Sequence, residues 1–268
     1  MNTNFLKKIN IKKSLGQNFL VDNDVLKKIV KYINPKFNDK IFEIGAGTGC
    51  LTKILYNHVK TMSIIEIDSS LYNVLKKYFL DKNVIIFNEN ILHFDFKKYL
   101  KNYNFVRIVG NVPYNISINI IFYFLNFLDN IKDMHFMLQY EVAKKISAKI
   151  GSKCYGKLSI LLQYYFRIKI LLEVNSKSFF PVPKVNSCFV KFIPTKRFFK
   201  NNVNIKYFKY IVSTAFSQRR KTIKNSLSNI FKKDIFKILK IDSSLRAQNL
   251  TILEYCRLTK YFVKNIFI

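Results

Sequence analysis

Residues 111–114 read Asn-Val-Pro-Tyr and follow an apolar run, Phe105–Gly110. These residue types suit the exocyclic amine of a flat base. Such an amine carries two N–H donors and a lone pair delocalised into the ring, so it is a weak nucleophile. Methylating it takes two acceptors aimed at the protons and a surface on which the base stacks. The Asn111 side-chain oxygen and the Val112 carbonyl supply the acceptors, Pro113 stiffens the turn and Tyr114 offers a stacking face. Drawing both protons into hydrogen bonds turns the lone pair out of conjugation and toward a methyl donor. Positioning and electrostatics then carry the chemistry, without a strong base.

A second constellation lies upstream. Ile41-Phe-Glu-Ile-Gly-Ala-Gly-Thr-Gly49 ends an apolar run in alternating glycines. Gly45 and Gly47 let a ligand approach the backbone closely. The spacing G-x-G-x-G differs from the G-x-G-x-x-G of dinucleotide enzymes, which points away from a pyrophosphate cradle. Glu66 follows Gly45 by 21 residues and ends the next apolar run. A carboxylate there accepts from vicinal ribose hydroxyls, so on these residues alone both NAD and S-adenosylmethionine remain open. Asp68 competes with Glu66 but is expected to start the following helix.

Both constellations need strands that end side by side. Apolar runs at 41–44, 62–67, 84–87, 105–109 and 134–138 alternate with helical stretches at 22–33, 51–57, 69–79 and 117–128. This alternation predicts an α/β fold with a doubly wound, Rossmann-like parallel sheet covered on both faces. Two late runs, 168–174 and 185–193, read as an antiparallel addition at one edge. Pro194 and the basic run Lys196, Arg197, Lys200 mark a boundary. Beyond it the pattern is helical, at 205–216, 219–229, 233–239 and 250–263. The expected organisation is a basic arm over 1–19, a Rossmann-like domain over 20–195 and a small all-α domain over 196–268.

The chain has 268 residues, with 46 Lys and Arg against 16 Asp and Glu, a formal net charge of +30. Its Lys, Asn, Ile, Phe and Tyr richness follows A/T-rich codons, so charge alone does not define a partner. The field still favours polyanions, nucleic acid above all. Apolar residues at 49% exclude wholesale disorder. Cys50, Cys154, Cys188 and Cys256 are scattered, as are His58, His93 and His135. No metal site is expected, and the thiols read as free and buried. There is no secretory signal and no apolar run of membrane-spanning length, so a cytoplasmic, membrane-free, metal-free monomer is expected. His135, Cys188 and Tyr255 are read as core or interface residues.

The chain resembles the ribosomal RNA adenine dimethyltransferase family, most closely its bacterial small-subunit (16S) branch. The matching stretches are Lys13-Ser-Leu-Gly-Gln-Asn-Phe-Leu20, Glu43–Gly49, Ile65-Glu-Ile-Asp68 and Gly110–Ser117. They continue with Asp133–Gln139, Tyr155-Gly-Lys-Leu-Ser159, Pro181–Ser187 and Phe216–Leu227, and Tyr255-Cys256 extends them. The resemblance implies a class I methyltransferase fold with a helical C-terminal domain and S-adenosylmethionine as methyl donor. It implies two methyl transfers to each of two adjacent adenosines in a hairpin loop near the 3′ end of 16S rRNA, in the immature small subunit. A role in small-subunit biogenesis goes with it. It also implies donor contacts from Asn18, Leu20, Gly45, Gly47, Glu66, Asn90 and Asn111, and packing of Phe179 on the target base. Arg219, Arg220, Lys221 and Lys224, crowded at the start of the expected 219–229 helix, then read as phosphate contacts, as do Lys12 and Lys13. The adenosine must be unstacked to enter, which suits a loop.

Two positions depart from the family pattern. Asn90 stands where Asp is usual, which should weaken a hydrogen bond to the donor's adenine by about 1 kcal/mol. Ala46 replaces a common Pro. A large-subunit rRNA methyltransferase and a DNA adenine methyltransferase share part of this logic, but Tyr155–Ser159 and Gln218–Thr222 favour the small-subunit type. An assembly factor with vestigial methylation is the alternative from another class, and Asn90 is the residue that raises it.

Overall fold

The computed structural model describes residues 11–101, 103, 105–195 and 203–266. Residues 1–10 of the basic arm and the run Lys196, Arg197, Lys200 lie outside them. The chain divides into two compact units, 1–143 with 169–194, and 144–168 with 195–268. Residues 144–168, which the expected organisation places within 20–195, group here with the second unit.

The first unit begins with β1 (Phe19–Leu20) and α1 (Asn23–Ile33). Asp22 caps α1 by accepting from the Asp24 and Val25 amides at 3.0 and 3.1 Å. Leu26, Ile29, Val30 and Ile33 recur at helical spacing and are buried. Then come β2 (Lys40–Ile44), the one-turn α2 (Thr52–Leu55), β3 (Thr61–Ile65), α3 (Ser69–Tyr78), β4 (Val84–Phe87) and α4 (Phe96–Leu100). They are followed by β5 (Val106–Gly110), α5 (Ser117–Tyr123), β6 (Ile131–Gln139) and α6 (Tyr140–Ile146). After α7 (Lys157–Tyr165) the chain returns through β7 (Phe166–Val174), β8 (Phe179–Phe180) and β9 (Ser187–Pro194).

Seven strands form one sheet in the order β4-β3-β2-β5-β6-β9-β7, and β1 pairs antiparallel with β8. The pairs from β4 through β6 are parallel and β6–β9 is antiparallel. The strand order reverses at β2, which places the carboxyl ends of β2, β3 and β5 around the crevice where open α/β sheets bind ligands. Close strand approach explains Gly110: a Cβ there would lie 2.7 Å from the Ile44 carbonyl oxygen. At the opposite end of the sheet Arg107 is buried and bidentate on Asp133 (2.8 and 2.9 Å) and reaches Asp39 (2.7 Å) and the Ile33 carbonyl (2.6 Å). One guanidinium thus ties the end of α1 to β5 and β6.

The second unit contains α7, α8 (Ile205–Ser217), α9 (Ile223–Ser226), α10 (Lys233–Ile238) and α11 (Ile252–Ile266). The buried Tyr255 hydroxyl donates to the Ala247 carbonyl (2.8 Å), and Gln163 donates to the Ile146 and Ala148 carbonyls. The expected 219–229 helix is one turn only. Thr222 bridges Arg246, and the Ile223 amide donates to the Leu245 carbonyl, so the backbone at 222 is extended and a helix cannot begin before 223. Arg219–Lys221 therefore lie in a turn. The thiols also differ from expectation: Cys188 and Cys256 are buried, Cys50 is half-buried, and Cys154, in a loop, is exposed.

Candidate active site

A cavity lies at the carboxyl ends of β2, β3, β4 and β5. Its walls come from residues 15–20, the glycine loop, Glu66, the 89–91 turn and residues 110–114. The first unit thus brings together Asn18, Leu20, Gly45, Gly47, Glu66, Asn90, Asn111, Val112, Pro113 and Tyr114, which are scattered over nearly 100 positions of sequence.

Glu66 is buried, with 5% of its surface exposed. Its Oε2 accepts from the Gly47 amide (2.8 Å) and its Oε1 from the Asp68 amide (2.9 Å). Burial raises its carboxyl against the lowering effect of these bonds. A carboxylate accepts about four hydrogen bonds, so capacity remains on the face that lines the cavity. Gly47 has φ of 58°, and a Cβ on it would lie 3.1 Å from the Phe19 ring. Only glycine leaves that approach open.

Asn111 Nδ2 donates to the Asn18 carbonyl at 2.7 Å. The bond fixes the amide, and the Asn111 side-chain oxygen is then the atom left to accept elsewhere. Tyr114 is half-buried and its hydroxyl lies 2.6 Å from Ser187 Oγ, which locks the ring. Burial raises its pKa, so the hydroxyl stays protonated. Asn90 Oδ1 accepts from the Leu92 amide (3.0 Å), forming a turn at the cavity edge.

Phe179 lies elsewhere. It is 1% exposed, paired with Leu20 and packed in the main core, and it is not among the cavity-lining residues. In the second unit Arg219 Nη2 donates to the Lys153 carbonyl (2.7 Å), the Tyr155 carbonyl (3.1 Å) and Gln248 Oε1 (3.3 Å). Arg220 and Lys221 are exposed and Lys224 is half-buried. Lys12 is bound to Asp68. The described residues contain no group of three His, Cys, Asp or Glu able to hold a metal, and no helix long and apolar enough to cross a membrane.

Two site residues have no counterpart in the sequence reading. Glu43 stands inside the glycine motif, where a charged residue in an apolar strand is the signal. It lines the cavity, is buried, and accepts from Thr52 Oγ1 at 2.7 Å. Gln17 is invisible in sequence because its partner, Asp68, is 51 positions away.

Comparison with known proteins agrees with this architecture. A model of the family "Ribosomal RNA adenine dimethylase" matches residues 8–264. A ribosomal RNA small subunit methyltransferase A from Buchnera aphidicola subsp. Schizaphis graminum is 44% identical over 254 residues, covering 94% of this chain and 93% of that protein. The namesake from Wigglesworthia glossinidia brevipalpis is 40% identical over 94% of this chain and 97% of that one. The crystal structure of a dimethyladenosine transferase from Plasmodium falciparum superposes with a TM-score of 0.79 at 27% identity, covering 92% of this chain and 98% of that one. With a cavity at the sheet's switch point, an Asn-Val-Pro-Tyr motif on its rim and likeness over almost its whole length, the chain belongs to the ribosomal RNA adenine dimethylase family.

Proposed function

We propose that the chain transfers methyl groups from S-adenosylmethionine to the N6 amines of two adjacent adenosines near the 3′ end of 16S rRNA, on an immature small subunit. The observation that carries this reading is the convergence of Glu66, the glycine loop and Asn111 on one cavity. The residues fit the donor. Glu66 has acceptor capacity for a ribose, and the glycine loop, Asn90 and Ile91 line the same cavity. When bound, S-adenosylmethionine supplies a methyl group activated by a sulfonium sulfur. Asn111 Oδ1 and the Val112 carbonyl accept the two N–H bonds of the incoming amine, freeing its lone pair for attack on the methyl carbon. Tyr114, locked by Ser187, stacks the base. Transfer converts the donor to S-adenosylhomocysteine, and the displaced proton leaves to solvent.

Phe179 backs Leu20, its strand partner on the cavity wall. Arg220, Lys221 and Lys224 contact phosphates, while Arg219 holds the turn that presents them. The chain works as a monomer in the cytoplasm, without a metal, and its engagement of immature subunits makes it a biogenesis factor as well.

The test is transfer of labelled methyl groups to under-methylated small subunits, naked 16S rRNA, large-subunit rRNA and DNA, followed by nucleoside analysis. Dimethyladenosine on small subunits, lost in Glu66→Ala and Asn111→Ala, is expected. No transfer to any substrate while small-subunit binding persists would overturn the catalytic reading in favour of an assembly factor.

A further inference from the structure

Asp68 does more than begin α3. Its side chain is fully buried. Oδ1 accepts from Lys12 Nζ (2.7 Å), the Ser70 amide (3.0 Å) and Ser70 Oγ (2.6 Å), and Oδ2 accepts from Gln17 Nε2 (2.9 Å). The Lys12 amide donates to Gln17 Oε1 at 2.8 Å, which closes the group. Capping a helix takes only the Ser70 bonds. The bonds from Lys12 and Gln17 come from 56 and 51 positions away and serve something else. Burial alone would raise the Asp68 carboxyl, but Lys12, Ser70 and Gln17 outweigh it and hold it at about 2.

The segment those bonds anchor forms a wall of the cavity, through residues 15–20. It is seated at further points on the same rim. The position of a Cβ on Gly16 is 3.3 Å from Pro113 Cβ, the Asn18 carbonyl accepts from Asn111, Phe19 lies over Gly47, and Phe19–Leu20 pairs with Phe179–Phe180. Asp68 supplies the anchor at the amino end, over the carboxyl end of β3. Its own amide also orients Glu66.

We infer that Asp68 is a positioning residue for methyl transfer: through Lys12 and Gln17 it clamps the 12–20 segment against the donor cavity and so sets donor affinity. The inference rests on the donor reading above. A segment already held in place loses little conformational freedom on binding, whereas a loose one must be ordered at the expense of affinity. Asp68 makes no contact with the reacting atoms and acts through the wall it holds.

The informative variant is Asp68→Asn. Asparagine is a good N-cap and its oxygen still serves Ser70, but it offers no second acceptor to Gln17 and no charge to Lys12. Losing a charge-assisted bond of this kind should weaken S-adenosylhomocysteine binding, measured by calorimetry, roughly tenfold. Amide exchange should accelerate over residues 12–20 and stay unchanged in the rest of the first unit. The KM for donor should rise by the same factor, while kcat at saturating donor falls less than about threefold. Lys12→Met changes a partly exposed side chain and keeps both Asp68 oxygens and the Ser70 cap, so it keeps the test open if Asp68→Asn folds poorly. It should shift affinity and exchange in the same direction, and the double variant should be no worse than Asp68→Asn alone. Unchanged affinity and exchange in both variants would overturn the clamp. So would faster exchange spread over the whole unit, since Asp68 would then be only a helix cap. Failure of the native chain to bind S-adenosylhomocysteine would refute the donor reading itself, a distinct result.

Discussion

Replacing Glu43 by Gln should remove most of the fall in stability on going from mild acid to mild alkali. Glu43 is 2% exposed on β2, beneath the glycine loop. Burial pushes its carboxyl up, Thr52 partly offsets this, and the neighbouring Glu66 charge adds to the rise, from 4.5 to about 8. The folded chain therefore holds this proton more tightly than the unfolded chain. The stabilisation is complete below about 4.5 and is lost as pH rises through about 8. Between about pH 5 and about pH 8 the loss is on the order of 3 kcal/mol. Glutamine has the shape of the protonated acid, keeps an oxygen for Thr52 and cannot ionise. The assay is urea unfolding of both proteins across that range, at constant ionic strength. The other titrating groups are common to the pair, so the difference between the two curves reports Glu43 together with its coupling to Glu66. The variant should match the native chain near the acidic end and exceed it at the alkaline end. Curves that run parallel would refute the reasoning, because Glu43 would then titrate alike in the folded and unfolded chains.

Asn90→Asp gives the 88–92 turn a carboxylate, of which one oxygen can keep the Leu92 amide and the other can face the cavity; donor affinity by calorimetry should improve by about 1 kcal/mol, roughly fivefold. An unchanged affinity would show that this turn does not reach the donor. Arg107→Met leaves Asp39 and Asp133 buried without their main cation and should cost about 3–5 kcal/mol in urea unfolding. Equal stability would mean that Lys132 and Lys191 suffice. Tyr255→Phe leaves the Ala247 carbonyl only its longer bond from the Leu250 amide (3.4 Å) and should cost about 1 kcal/mol without altering donor affinity; a change in affinity would contradict this purely structural role.

The parts of the site legible in sequence are those that a local pattern encodes. Strands β2 to β6 announce themselves as short apolar runs between helical stretches, and a parallel sheet must collect their carboxyl ends on one side. Hence Gly45, Glu66 and Asn111 could be assigned to one rim from spacing, whereas Asn90 came only from the family resemblance. The helix α7 was not legible, because Ser159, Ile160, Leu161, Leu162 and Tyr164 are all buried and such a run carries no amphipathic period. The turn at Arg219–Lys221 was hidden for a different reason: its cause, the bridge from Thr222 to Arg246, lies 24 positions along the chain. Asn111 shows how the two kinds of information combine. Residue type makes its amide both donor and acceptor, and sequence cannot say which end meets the substrate. The 12–20 segment decides this by offering the Asn18 carbonyl to Nδ2, which leaves the oxygen as the atom available to an amine. The chemistry of the motif therefore depends on a strand end and on a segment 93 positions earlier that folds back onto it. Loosening that segment at Asp68 should act on donor binding, with the Asn18 carbonyl still held to Asn111 once donor is bound.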